Sequence, residues 1–339
     1  MRAADGVNVD APPTDADPSD AGPPFGIPTA SANLYCHGQL HAALTDVVVP
    51  VWRWVRAEGA GRAALWFMRY SRGGAHIKLR LHAPPALTAS FKVELERTAA
   101  AFFAQIPASD PARPKDVDDR IPAIDAEDAV AEPHPDRTLL WTAYPCPPSH
   151  LGTEPLSGAP GFARTHTAAL AAMTDVVLAR IDAETQASGL GMSLLANFLF
   201  TMASMPDQDG VRALAHHRDW LLGGAQTDAA AALRFMDQKI AANPGQRDAL
   251  RQQWFATAQQ DAPLPEFAPF SRALRAHVDL SLDALGASRT ADLNDPEAAQ
   301  LFGAVARIQH KVANLLAIDL SNEIYLCHLV HRAASPADA

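Results

Sequence analysis

Several residue types and patterns that mark well-defined protein classes are scarce or missing in this sequence. Three cysteines occur in 339 residues, Cys36, Cys146 and Cys327, and no two are close enough to form a CxxC pair. That excludes a disulfide framework and a thiolate zinc site, and a reducing, cytoplasmic setting is the expectation. No uninterrupted apolar run reaches the roughly 18 residues needed to cross a bilayer. The first residues carry one arginine and no apolar stretch, so no secretory leader is expected. Positive charge is in short supply: Lys plus Arg is 28 against 38 for Asp plus Glu, a net charge of −10. A protein that binds polyanions through a general positive surface is thereby excluded, and neither nucleic acid nor a membrane is an expected partner. GxSxG and the phosphate-binding P-loop are both missing, and Gly189-Leu190-Gly191 lacks the third glycine and preceding strand of a dinucleotide fingerprint. No cofactor is therefore expected. His37 and His41 lie four apart with no third ligand near in sequence, so no metal is expected. His216 and His217, adjacent on a helical pattern, point about 100° apart and cannot share one small ion.

What remains is the composition of a folded globular chain, 48% hydrophobic and 19% charged. Residues 1–28 are Asp, Pro, Ala and Gly with almost no large apolar side chain, and such a segment is expected to stay disordered. Order is expected from residue 29 to 335 as one domain, with a sheet-containing half (29–160) and a helical half (161–335). Ala43–Val55 is apolar and rich in Val, but Asp46, Pro50 and Arg53 interrupt it, leaving helix and strand both open. A hairpin is far clearer. Ala64–Tyr70 and Ala75–His82 flank Gly73-Gly74, and the second run alternates His76, Lys78, Arg80 and His82 with Ile77, Leu79 and Leu81. Period two places the four basic groups on one face and the aliphatics on the other. The basic face then looks either into solvent or into a cleft. In a cleft, Arg80 would supply a bidentate fork, Lys78 a point charge and His76 a titratable donor.

Leu87–Phe103 has helical spacing, 107–137 is Pro- and Asp-rich with weak patterning, and Leu139–Tyr144 has the pattern of a strand before a proline-rich turn. Helical periodicity then covers 162–187, 190–204, 207–222, 226–242, 245–260, 267–286 and 295–317, with a last helix at Glu323–Arg332 capped near Ser321. The expected class is α+β: a small N-terminal antiparallel sheet layer with helices, and a mostly helical C-terminal half. Within 295–317, Gln309, His310 and Asn314 interrupt an apolar stripe. His310 and Asn314, four apart, share a face and are either a satisfied buried pair or the edge of a cleft.

Several of these segments resemble one family together. Tyr35 and His37, Trp66–Tyr70, and Gly73–Arg80 are similar to the WFFIRY…GGPHLRLR block of lantibiotic-dehydratase C-terminal domains. Tyr144–Gly152 stands where that family has Y-x-PE-x-x-RYGG. His310, Asn314-Leu315 and Asn322–Leu326 resemble its closing HM-x-x-NRL…E-x-YL helices. The resemblance covers residues 34–332. It implies action on a ribosomally made precursor peptide, by one of two chemistries. One eliminates glutamate from glutamylated Ser or Thr to leave dehydroalanine or dehydrobutyrine. The other joins two dehydroalanines in a formal aza-[4+2] cycloaddition, then expels water and the leader peptide to leave a pyridine.

The departures favour the second. The Glu and Arg of the eliminating pattern fall at Pro147 and His150, its first RLR arginine at Lys78, and the Arg after Asn at Leu315. The implied catalytic set is His310 with Gln309 and Tyr144, and the implied substrate-binding set is Arg69, His76, Lys78, Arg80, His150 and Asn314. The implied partner is a precursor peptide, its leader plus a dehydroalanine-containing core, made ready by upstream dehydratase and azole-forming enzymes. The sheet layer is the expected leader-binding surface, and a homodimer is the default assembly. A glutamate eliminase and a non-catalytic leader-binding module are the competing expectations.

Overall fold

The computed structural model describes residues 29–70, 75–107, 134–142, 161–182, 209–224, 228–245, 248–249, 252, 268–285 and 308–334. Its sheet has four strands, β1 (Ala30–Tyr35), β2 (Ala64–Tyr70), β3 (His76–His82) and β4 (Thr138–Trp141), all pairings antiparallel, in the order β2-β3-β1-β4. The hairpin expected from the sequence is β2–β3. β1 inserts on its other side, so β3 is a central strand. The class is α+β, as expected.

The ambiguous run after β1 is helical. α1 (Leu40–Ala43) passes through one π turn, Leu44–Val48, into α2 (Val49–Gly59). Pro50 explains both the wide turn and the ambiguity. It has no N–H for the Asp46 carbonyl and its ring crowds that carbonyl, and a π turn relieves the clash without ending the helix. α3 (Pro85–Gln105) opens on a proline in its first turn, where a missing N–H costs nothing.

Period two then acts on the whole sheet. Leu34, Leu65, Phe67, Ile77, Leu79 and Leu81 lie on one face, and the π turn, α2 and α3 contribute Leu44, Val47, Trp52, Phe91 and Leu95 to the same core. Each such burial is worth about 1.5–3 kcal/mol. The opposite face carries three rows running straight across three strands: Ser31–Arg80–Trp66, Asn33–Lys78–Met68 and Tyr35–His76–Tyr70. His76, Lys78, Arg80 and His82 are at most 4% exposed, so the basic face is not a solvated one.

The helical half comprises, among the described residues, α4 (Phe162–Asp182), α5 (Asp209–Gly224), α6 (Ala229–Ala241), α7 (Ala268–Leu285), α8 (308–315) and α9 (Leu320–Ala334). α4 pairs closely with α7 and touches both β2 and α2, and Trp52 Nε1 donates to Asp175 Oδ1 at 2.6 Å across that join. One core extends from Ala30 to Val330, taking in Met173 of α4, Phe270 of α7, Val312 of α8 and Cys327 of α9. A smaller one, with Leu221, Leu222, Met236, Leu320 and Ile324, fills the α5–α6–α9 junction.

The α8–α9 corner fixes the geometry that follows. α8 closes with Ile318 N–H on Ala313 C=O at 3.0 Å and Ala317 N–H on Asn314 C=O at 3.2 Å, the two bonds of a Schellman motif. Ala317 sits at φ 56°, the left-handed position that glycine normally fills. Two residues later Asp319 caps α9: its Oδ1 accepts from Asn322 N–H at 2.8 Å. The cap is thus Asp319 rather than a residue near Ser321, and the helix begins a turn earlier than its apolar pattern indicates. Ala317→Gly is expected to raise stability by about 0.5–1 kcal/mol and Asp319→Ala to lower it by about 1 kcal/mol, both read by denaturant unfolding. An Ala317→Gly protein no more stable than the parent would refute the strained corner.

Candidate functional site

Candidate groups lie on two platforms, the basic face of the sheet and the helices around α8–α9. On the sheet, Tyr35, His76 and Tyr70 stand side by side because their backbones are cross-strand partners. Tyr35 and His76 have ring centroids 4.5 Å apart, and His76 stacks on Tyr70 at 5.7 Å and 22°. His134 also packs against Tyr35, with ring centroids 4.7 Å apart. Lys78 Nζ lies 3.6 Å from the Tyr70 ring centroid, a close cation–π contact. Arg80 donates to the Leu79 carbonyl at 3.1 Å. His76, Lys78 and Arg80 are therefore brought together. Arg69 is not: it pairs with Ile77 in the ladder, which puts it on the aliphatic face, opposite to the other three. Burial lowers its guanidinium to about 10, and its Nε is buried without a partner among the described residues.

On the helical platform, three successive residues of α8 fan out about 100° apart and reach two other helices, α9 and α4. Gln309 Nε2 donates to Cys327 Sγ of α9 at 2.8 Å. His310 Nδ1 meets Glu323 Oε2 of α9 at 3.0 Å. Lys311 Nζ lies 3.5 Å from His166 Nε2 of α4. Gln309 thus turns to Cys327 rather than toward the ring of His310. Asn314 is half-buried on the His310 side of α8. Tyr144 and His150 lie outside the described residues.

Glu323 is the centre of the cluster and was not among the residues the sequence nominated. Its second oxygen, Oε1, is 2.9 Å from His217 Nε2 of α5, so one carboxylate joins two imidazoles from two other helices. All three are buried: His217 and Glu323 at 1% exposure, His310 at 4%. Burial alone would push the Glu323 carboxyl up. Electrostatic attraction to His310 and hydrogen bonds from His217 and His310 outweigh it and hold the group at about 2, and Glu323 also lies in the first turn of α9, where the helix dipole favours an anion. An ionised carboxylate can only accept, so both imidazoles donate to it: His310 through Nδ1–H, His217 through Nε2–H. His310 Nε2 then carries the lone pair and takes no hydrogen-bond partner among the described residues. His217 Nδ1 is sealed from water, and burial holds that imidazole below the usual histidine range against the pull of Glu323.

Two further networks border the trio. Arg218 donates through Nη1 to His328 Nδ1 at 3.0 Å, which leaves His328 Nε2–H to donate to Asp237 Oδ1 at 2.9 Å, and Arg332 grips Asp237 through both carboxylate oxygens. In the α4–α7 seam, Thr165 Oγ1 is 2.8 Å from His277 Nδ1, and His277 lies edge-on to His166. Burial pushes the Cys327 thiol well above its usual range, with the Glu323 charge adding to it, so it is no nucleophile. Among the described residues no group of three His, Cys, Asp or Glu side chains is spaced to hold a metal ion, and no helix is long and apolar enough to cross a membrane.

Buried neutral histidines set the acid limit of the fold. Burial lowers His217 and His328, and brings His277 and His331 to about 4, against 6.5 for the free side chain. The unfolded chain therefore takes up protons that the folded chain refuses, and stability falls as pH drops through that window. Each such proton steepens the loss by about 1.4 kcal/mol per pH unit. Glu323, at about 2 when folded against 4.5 when free, adds a further loss below about pH 4.5. The denaturant midpoint is expected to decline already between about pH 6.5 and 5, where carboxylates are still ionised. A midpoint flat over that interval would remove this account.

A family model described as lantibiotic biosynthesis dehydratase C-term matches residues 30–334. No curated protein matches the chain by sequence. Among solved structures, the pyridine synthase TbtD from thiomuracin biosynthesis is similar with a TM-score of 0.64 at 18% identity, over 90% of this chain and 97% of that one. TsrL is similar with a TM-score of 0.55 at 16% identity, over 89% and 93%. The tRNA-dependent lantibiotic dehydratase MibB from Microbispora sp. 107891 gives 0.51 at 15% identity, over 94% of this chain but 28% of that one. At these identities the likeness is one of fold.

Proposed function

The chain belongs to the lantibiotic biosynthesis dehydratase C-terminal family, and from that premise we propose that it is a pyridine synthase of thiopeptide type, acting on a ribosomally made precursor peptide. The observation that carries this reading is a pattern of loss and retention. Pro147, His150, Lys78 and Leu315 stand where the eliminating members have a carboxylate and three guanidiniums, while His310 and Arg80 are kept. An eliminase needs cationic forks for the glutamyl carboxylate it expels, and this chain has fewer of them. The likeness of fold to the pyridine synthase TbtD over nearly its whole length is a second support.

In this reaction one dehydroalanine, with its preceding amide in the imidic form, is the four-atom partner, and a second dehydroalanine is the two-atom partner. The amide proton moves from nitrogen to oxygen, and two C–C bonds close the ring. The hydroxyl then leaves as water and the leader leaves as its carboxamide. Bringing the two segments together is chiefly an entropic task, worth on the order of 7–11 kcal/mol in well-oriented cases. The proton transfers fall to His310, whose Nε2 lone pair can accept and then return a proton. His76, Lys78 and Arg80 hold peptide carbonyls as negative charge grows on them. An upstream dehydratase supplies the dehydroalanines.

The test is mass spectrometry after mixing the protein with a leader-bearing peptide that contains two dehydroalanines. Loss of water together with release of the leader carboxamide is the expected result, and His310→Ala is expected to slow it about 10²–10⁴-fold. An untouched peptide, with a glutamylated one losing glutamate instead, would transfer the chain to the eliminases. Leader binding with no conversion of either would leave a peptide-holding module.

A further inference from the structure

We infer that Glu323 and His217 are positioning residues for His310, locking its ring with Nδ1–H toward α9 and Nε2 toward the substrate. The inference rests on the proposed reaction and adds to it the device that fixes the acid–base group. Three helices meet at one carboxylate, and each of its oxygens takes one imidazole, at 2.9 and 3.0 Å. A carboxylate at 1% exposure is a costly way to join helices. Removing a charge from water costs several kcal/mol, and apolar side chains of the same volume hold helices together as well or better. What the arrangement supplies is direction: a carboxylate that can only accept dictates which nitrogen of each ring carries hydrogen.

The two imidazoles are not equivalent. His217 is closed off, its Nδ1 sealed from water and its ring stacked on Trp220 at 5.7 Å. His310 keeps Nε2 without a partner among the described residues, so only His310 can meet a reacting atom. His217 acts one step back, occupying Oε1 so that Oε2 alone faces His310 and the carboxylate cannot rotate. The other titratable or charged groups around the trio are Cys327 on α9 and His216 and Arg218 on α5, while Lys311 on α8 points away to His166. Gln309 on α8 ties down Cys327 and adds no charge.

The measurement is nitrogen-15 NMR of histidine-labelled protein without substrate, which reports the tautomer of His310 directly, alongside pH–rate profiles on the bis-dehydroalanine peptide. Wild type is expected to show the Nδ1–H form. Glu323→Gln is expected to lose the single tautomer, to lower kcat about 10²–10⁴-fold with KM little changed, and to alter the pH–rate profile. His217→Leu is expected to broaden the His310 tautomer population, and His217→Gln, which keeps an N–H for Oε1, to restore it. Thermal midpoints accompany each variant. Glu323→Gln with an unchanged tautomer and an unchanged pH profile, differing only in thermal midpoint, would reduce the trio to a helix joint and overturn the inference. A wild type inert on the peptide but carrying the tautomer signature would refute the proposed reaction while supporting the positioning geometry.

Discussion

A carboxylate shut away from water must find a donor for each oxygen, and Glu323 satisfies that demand by recruiting two helices at once. α5 supplies His217, α8 supplies His310, and α9 carries the acid itself. None of these contacts would exist without the corner between α8 and α9. The left-handed Ala317 reverses the chain, Asp319 restarts the helix, and thirteen residues after His310 the carboxylate arrives at its Nδ1. Local backbone chemistry, two hydrogen bonds of a helix end and one of a helix start, thus decides the orientation of a group several turns away. The apolar junction of Leu221, Leu222, Met236, Leu320 and Ile324 holds the same helices in register, so packing and polar satisfaction converge on one arrangement.

The sheet follows a different logic. Its aliphatic face is an ordinary core, but its other face buries three cationic or titratable side chains in consecutive cross-strand rows. Burial is tolerable there because the neighbours are polarisable: Tyr70 under Lys78, Tyr35 and Tyr70 about His76. Aromatic faces stabilise a cation without neutralising it as a carboxylate would.

Elements with short-range causes were legible in the sequence. The β2–β3 hairpin, α3, α6, α7 and α9 all follow from apolar spacing and turn residues. Alternation also separated basic from aliphatic positions on β3, but it did not show that the basic face is buried, because burial is decided by what packs on a strand. Arg69 was grouped with His76, Lys78 and Arg80 by the family resemblance. Parity, counted from its partner Ile77, puts it on the opposite face of the sheet from those three. His217 was set aside by a sound argument, that two adjacent helical histidines cannot share an ion. Its true partner stands 106 positions later, and no local pattern links them. Glu323 was read only as the first residue of the last helix and as part of the segment that resembles E-x-YL. The one available clue was that His310 and Glu323 flank a single short reversal, so an α8–α9 hairpin would bring them together.

The two platforms offer different kinds of positive group, and the difference bears on which reaction suits them. A carboxylate leaving group asks for planar forks that grip both of its oxygens, and an arginine supplies that grip where a lysine supplies only a point charge. In the proposed reaction Lys78, whose Nζ lies over the Tyr70 ring, would offer a point charge to a single carbonyl oxygen. His310, fixed by Glu323, presents one nitrogen along one direction. A single-oxygen contact and a single-nitrogen proton site match an amide that must lose a proton at nitrogen and gain one at oxygen. They match less well a carbon acid that must lose its proton while a carboxylate departs, since that task separates the base from a two-oxygen clamp. The retained Arg80 can serve either, so the balance rests on Lys78 and on the positions where Pro147, His150 and Leu315 replace a carboxylate and two forks.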